Sequence, residues 1–235
     1  MTFKLTNIVP WGRSAGEYQR MFNLSDPDLA GRILDCGGGP ASFTAEMTAQ
    51  GYSVVACDPI YQFSATEIDQ RIQAVRPQIL AGVEQTRDRF IWSQIRSLEE
   101  LETLRMSAMQ RFLQDLPAGK AAGRYVVGEL PRLPFGDRTF DLALSSHLLF
   151  TYSEQLSTEF HGAALRELLR VAREVRIFPI VENFSGETSP HLETVISQLT
   201  PIVQALEIVT VGYEFQRNGN QMLRLFADAP RTQLA

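Results

Sequence analysis

The chain has 235 residues, 44% of them hydrophobic and 21% charged, the composition of an ordinary folded protein and not of a disordered or membrane-embedded one. That length suits a single domain over residues 1–235 whose core needs no staples. A formal charge of −5 argues against a nucleic-acid partner and for a small molecule, and with no membrane-length apolar run and no signal-like N-terminus a cytoplasmic location is expected.

The first predicted strand, Arg32–Cys36, ends in Gly37-Gly38-Gly39-Pro40. A helix is expected next, with Pro40 at its first position, Ala41, Phe43 and Met47 on its apolar face and Gly51 as its stop. The second strand, Ser53–Cys57, closes at Asp58-Pro59 and is apolar nearly throughout, as a strand covered on both faces must be. The pair makes a βαβ unit that sets Cys36 near Cys57, read as two buried thiols in a reducing compartment and not as a redox pair.

From Ser64 to Leu116 the pattern is helical for far longer than one crossover needs. Ser64 with Glu67 and Ser97 with Glu100 have capping-box spacing, and Pro77 is expected to break the run into segments. Ile68, Ile72, Val75 and Ile79, then Leu98, Leu101, Leu104 and Met109, keep helical periodicity. The stretch of about 62–120 therefore reads as an inserted set of helices, either a substrate cap or a partner surface.

Strands resume at Arg124–Gly128 and Phe140–Ser145, followed by a helix through Phe160, Leu165, Leu169 and Ala172 and a strand at Val175–Ile180. Ser189-Pro190 reads as the cap and first position of another helix. At the end, Glu207–Gln216 and Gln221–Phe226 flank the hairpin signal Asn218-Gly219, so one terminal strand is antiparallel. The fold class is α/β, a doubly wound and mostly parallel sheet.

Asp35-Cys36-Gly37-Gly38-Gly39-Pro40-Ala41 carries the chemistry. Glycines between a strand and a helix let the main chain approach a ligand, and the helix start favours an anionic group. Asp58, placed at the next strand end, suits the two hydroxyls of a ribose. A dinucleotide fingerprint would require a third glycine where Ser42 stands.

On these residues the chain resembles the class I methyltransferases that use S-adenosylmethionine (SAM). Asp35, Gly37 and Gly39 match the first motif of that family, with Ala41 where a third glycine is usual, and Leu133-Pro134-Phe135 followed by Phe140 to His147 is similar to its fourth-strand segment. The resemblance implies a seven-stranded Rossmann-like methyltransferase fold with SAM as cofactor. It implies that Asp35, Gly37, Gly38 and Gly39 hold the methionine part, Asp58 the ribose, and Glu129 and Leu130 the adenine, with Ser145 also counted among the cofactor-binding residues.

Methyl transfer from a sulfonium needs alignment above all. An acceptor that loses a proton also needs a base, for which His147 is the candidate; a hydrogen-bonded structural histidine is the weightier alternative. His161 and His191 read as helix-surface residues, and no metal-ligand spacing is present. Trp11, Tyr18, Tyr61 and Tyr152 flank the expected pocket and read first as core packing. Arg13 and Tyr18 lie in a stretch that could close over SAM, Arg13 pairing with its carboxylate. The expected activity is methyl transfer to an unidentified small molecule; the rival readings are a nicotinamide-dependent oxidoreductase and a non-catalytic SAM-binding or scaffold protein.

Overall fold

Strands that are apolar on both faces have to be covered on both sides. The computed structural model, which describes residues 5–228, does this with seven strands between layers of helices. In chain order these are α1 (Ala15–Met21), α2 (Asp26–Leu29), β1 (Arg32–Cys36), α3 (Phe43–Ala49), β2 (Ser53–Cys57), α4 (Ala65–Gln85), α5 (Leu98–Ala121), β3 (Tyr125–Val126), β4 (Phe140–Ser146), α6 (Thr158–Val171), β5 (Ala172–Phe178), α7 (Leu192–Leu199), β6 (Val203–Thr210) and β7 (Gln221–Ala227).

The strands lie in the order β3-β2-β1-β4-β5-β7-β6. The first five are parallel, and β7 is wedged antiparallel between β5 and β6. This is the Rossmann-like methyltransferase sheet that the resemblance implies; the dinucleotide-binding order 3-2-1-4-5-6 has no such wedge. The register sets Cys36 opposite Cys57, and both are buried free thiols. Alternate residues feed two cores. Leu34, Ala143, Val175 and Leu223 face α6 through Leu165 and Leu168, while Ile33, Val54 and Leu144 face α1 and α3 through Met21, Phe43 and Met47. Chain order reverses between β1 and β4, so a crevice is expected at their carboxyl ends.

Several boundaries differ from the sequence expectations. α3 starts at Phe43 and not at Pro40, because the segment before it is tied to the N-terminal chain: the Ser42 amide donates to the Arg13 carbonyl at 3.0 Å. Pro77 does not break α4. It sits on the exposed side, where water can solvate the carbonyl that its ring leaves unpaired, and burial of Ile68, Ile72, Ile79 and Val83 carries the helix through. The Ser64–Glu67 capping box forms; at α5 only half of one does, since Ser97 accepts from the Glu100 amide while the Glu100 carboxylate takes the Arg96 amide.

β3 is cut to two residues at the sheet edge. β5 begins directly where α6 ends and stops before Pro179, which has no N–H for the ladder. α7 starts at Leu192 rather than after Ser189, whose hydroxyl accepts from the His191 amide. The terminal hairpin is longer than Asn218-Gly219 suggests: β6 ends at Thr210, and the connection buries Val211 and Tyr213 instead of extending the ladder. Asn218 nonetheless adopts the left-handed φ of 64° that the turn demands. No helix among the described residues is long and apolar enough to cross a membrane.

Candidate active site

A cavity of about 690 Å3 opens at the carboxyl ends of β1, β2 and β4, the place where open α/β sheets bind ligands. Its floor at one end is main chain. Gly37 and Gly39 have φ of +71° and +55°, a region other residues enter at a cost of about 1–2 kcal/mol. A β-carbon at Gly39 would project into open space, with the Asp58 carboxylate 4.0 Å away as its nearest neighbour; one at Gly38 would collide with the Asp35 carboxylate. Tyr61, packed in the core, fixes the loop from below by donating to the Gly39 carbonyl at 2.8 Å.

Asp58 closes this end. Its Oδ2 accepts from the Gly39 amide at 3.0 Å and its Oδ1 from the Ile60 amide at 2.8 Å, which leaves each oxygen a further lone pair. Burial pushes its carboxyl up to about 6 against the pull of both amides, with nearby Glu129 adding to the rise. Glu129 and Leu130 line the same end.

Asp35 is placed differently from the expectation. It lies 1% exposed beneath the Gly38 main chain and is not part of the cavity wall, so it shapes the loop from behind. The Tyr18 hydroxyl donates to its Oδ1 at 3.1 Å. Burial pushes the Asp35 carboxyl up to about 7, opposed by that hydroxyl and reinforced by Asp58. Tyr18 itself is stacked on Phe43, with ring centroids 4.5 Å apart, and is among the residues lining the cavity.

Ser145 is a second correction. Its side chain is fully buried, its hydroxyl has no partner among the described residues, and the adjacent Ser146 lines the cavity instead. Residues alternate across a strand, so a shift of one position moves a side chain to the other face.

His147 follows β4 with a left-handed φ of 54° and lines the cavity. Its Nδ1 is 2.8 Å from the Ser146 hydroxyl, and no further partner holds Nε2 among the described residues. Burial, then the positive charges of Arg13 and Arg105, hold its pKa well below the usual imidazole range, so the ring is neutral at physiological pH. Of the other two histidines, His161 is not a surface residue and His191 is half-buried. His161 is fully buried, its Nε2 accepting from the Phe150 amide at 2.9 Å and its Nδ1 bonded to the Ser157 carbonyl; His191 spans Thr158 and the Ser153 carbonyl. Both hold turns together.

Arg13 lines the cavity beside the glycine loop, one guanidinium nitrogen donating to the Trp11 carbonyl at 3.1 Å while its buried Nε has no partner among the described residues. Burial and the neighbouring Arg105 lower its pKa to about 10. Arg105, on α5, is 2% exposed and is neutralised by Glu17 of α1, with Nη1 at 2.5 and 2.6 Å from the two carboxylate oxygens. The Tyr213 hydroxyl donates to the same carboxylate at 2.9 Å. Burial works against ionisation of Glu17, but Arg105 overcomes it and holds the carboxyl at about 2.

The far end is apolar. Leu5, Val9, Val83, Phe90, Leu101, Tyr152, Phe184 and Phe215 belong to one hydrophobic cluster and also line the cavity, and Leu148 of the same cluster reaches back to the glycine loop, against Gly37. They come from the N-terminal segment, α4, α5, the chain between those helices, and the loops after β4, β5 and β6. The N-terminal segment is pinned across this end by hydrogen bonds from the Val9 amide to the Tyr152 hydroxyl and from Gln155 to the Leu5 carbonyl.

Glu17, Arg105 and Tyr213 meet only through the fold and are not apparent as a cluster in the sequence. One signal was available for the first: Ser14 and Glu17 have capping-box spacing, and that box starts α1.

No family model matches the chain. The uncharacterized protein MJ0045 of Methanocaldococcus jannaschii is 31% identical over 222 residues, 93% of this chain and 96% of that protein. Among solved structures, Thermoplasma acidophilum 1320 aligns with 92% of this chain and 84% of its own at 8% identity and a TM-score of 0.39. The pyocyanin biosynthetic protein PhzM aligns at 15% identity and a TM-score of 0.47, and PigF with S-adenosylhomocysteine (SAH) at 15% and 0.46; they align with 90% and 92% of this chain, which spans 54% and 55% of their lengths.

Proposed function

We propose that this chain, which belongs to the family of Methanocaldococcus jannaschii MJ0045, is a methyltransferase that uses SAM to methylate a small molecule. The observation that carries the reading is the bare backbone at Gly39, open to the cavity at φ +55° and hydrogen-bonded to Asp58. A side chain there would fill the space that an adenosyl amino acid needs, and Asp58 keeps lone pairs for two ribose hydroxyls. The antiparallel β7 and the buried Ser42 in place of a third glycine weigh against a nicotinamide cofactor.

When bound, SAM would supply a methyl group on a positive sulfonium, and its transfer to the acceptor's lone pair would leave the bonding electrons on sulfur and release the acceptor's proton. Gly37, Gly38 and Gly39 would hold the methionine part, Asp58 the ribose, and Glu129 and Leu130 the adenine side. Arg13, with its unpartnered Nε, would meet the methionine carboxylate. Neutral His147 is the group able to accept a proton at the mouth of β4.

The test is transfer of labelled methyl from SAM across a panel of small hydroxyl, amine, thiol and carboxylate compounds. At least one acceptor should be methylated, and no NAD-dependent oxidation should accompany it. Replacing His147 with Ala should then cut turnover by about 10²-fold or more while SAH affinity is retained; unchanged turnover would retire His147 as the base.

A further inference from the structure

Each charged side chain on the cavity wall can be traced to a duty. Asp58 is engaged by two backbone amides, and exposed Glu129 stands beside it at the glycine end. Arg13 sits next to the glycine loop, and exposed Arg71 lies over the Phe63 ring at 3.9 Å. Arg105, the charge nearest the apolar cluster in sequence, one turn beyond Leu101, is neutralised by Glu17. The apolar cluster itself contains no charged side chain; the cation whose charge reaches it is Arg13, felt at His147 and Tyr152, and that charge is the one the SAM carboxylate would pair.

What it offers is apolar surface and rings. Phe90 contacts Phe184 and Phe215, with centroids 6.2 and 5.0 Å apart, and all three line the cavity. Polar side chains at this end, among them His147, Thr151 and Asn183, are uncharged hydrogen-bonding groups on the loops after β4 and β5, and the buried Thr151 hydroxyl has no partner among the described residues. Burying an ionised group among such residues without a counter-charge costs several kcal/mol, whereas a hydroxyl that finds one hydrogen bond costs little.

We infer that the chamber beneath α4 and α5 takes an uncharged, largely apolar acceptor that presents a hydroxyl, aromatic alcohols being the best fit to its ring-lined wall. That it is an acceptor rests on the methyltransferase reading; the chamber's preference for a neutral ligand does not.

The probes are 2-naphthol, 2-naphthoate and 2-naphthylmethylammonium, of one ring system and three charges, titrated calorimetrically into the full chain with and without SAH. 2-Naphthol should bind at least tenfold more tightly than either ion. Val9→Arg, on the half-buried segment across the chamber, places a cation in it and should reverse the order in favour of 2-naphthoate, with SAH affinity unchanged. The inference is overturned if an ion binds the wild type as well as 2-naphthol, if no probe binds, or if Val9→Arg leaves the order unchanged. Binding of 2-naphthol by a protein that ignores SAH would sustain the chamber and sink the methyltransferase reading; the opposite pair of results would sink the chamber alone.

Discussion

At the glycine end of the cavity the wall is main chain, with Gly37 and Gly39 in left-handed φ and the Asp58 carboxylate accepting from the Gly39 amide. At the insertion end it is side chains, brought together from seven segments of the chain. A backbone cradle has one tolerated residue per position, because any β-carbon either strains the chain or fills the site. A wall of aliphatic and aromatic side chains can be repacked at modest cost. One end is therefore built to hold a fixed ligand, and the other can change its ligand without changing the fold.

The contrast is broken most directly at Gly39. Gly39→Val should reduce SAH affinity by about a hundredfold or more, since strain of about 1–2 kcal/mol at its φ adds to a side chain standing in the cofactor's place. Calorimetry should show 2-naphthol binding retained in the same variant. Equal loss of both ligands would mean that the two ends are not separable.

The ion pair linking α1 to α5 joins the two ends. Glu17→Gln leaves the Arg105 guanidinium buried without its counter-charge and should lower the unfolding free energy by about 3 kcal/mol, measured in urea. The double variant Glu17→Leu with Arg105→Met should recover most of that loss. Additive losses would show that the pair is not coupled.

How much of this was legible follows the same division. Gly37, Gly39 and Asp58 follow two adjacent strand ends whose spacing the chain itself displays, so their meeting at one edge of the sheet could be expected before the fold was known, whereas the place of Asp35 behind the loop could not. Ser145 was misplaced because strand periodicity gives the face only if the register is known, and one residue exchanges it for Ser146. Pro77 misled because local propensity favours a break there, while burial along the rest of α4 outweighs it. The Glu17–Arg105–Tyr213 cluster spans 196 residues of chain between its outer members and had no local signature as a cluster. The apolar chamber had little local signal: most of its wall comes from loops, and Leu101 belongs to a helical stripe of a kind that looks the same whether it packs on a neighbour or lines a cavity.

The pH dependence sharpens the glycine end. Burial raises the folded-state carboxyls of Asp58 to about 6 and Asp35 to about 7, above their unfolded range. Their contribution to stability is therefore full below about pH 4 and is lost as pH rises through about 6 to 7, because the unfolded chain ionises first. A ligand that donates hydrogen bonds to Asp58 reverses this preference. SAH affinity should fall by up to about tenfold per pH unit below about pH 6, and titration in buffers of different ionisation enthalpy should show proton release on binding. A flat profile would detach Asp58 from the ligand.

The smallest effect is expected at Tyr18. Tyr18→Phe removes the hydroxyl that donates to Asp35 and should cost about 1 kcal/mol of stability, while shifting the Asp35 carboxyl further upward, as followed by carbon NMR of the labelled side chain. An unchanged Asp35 titration would remove Tyr18 from the account of the cradle.

Separate titrations of SAH and NAD into the wild-type protein decide which cofactor the cradle holds: one SAH should bind per chain with affinity in the micromolar range or tighter and NAD should give no heat, whereas NAD bound in preference, or SAH ignored, would overturn the assignment.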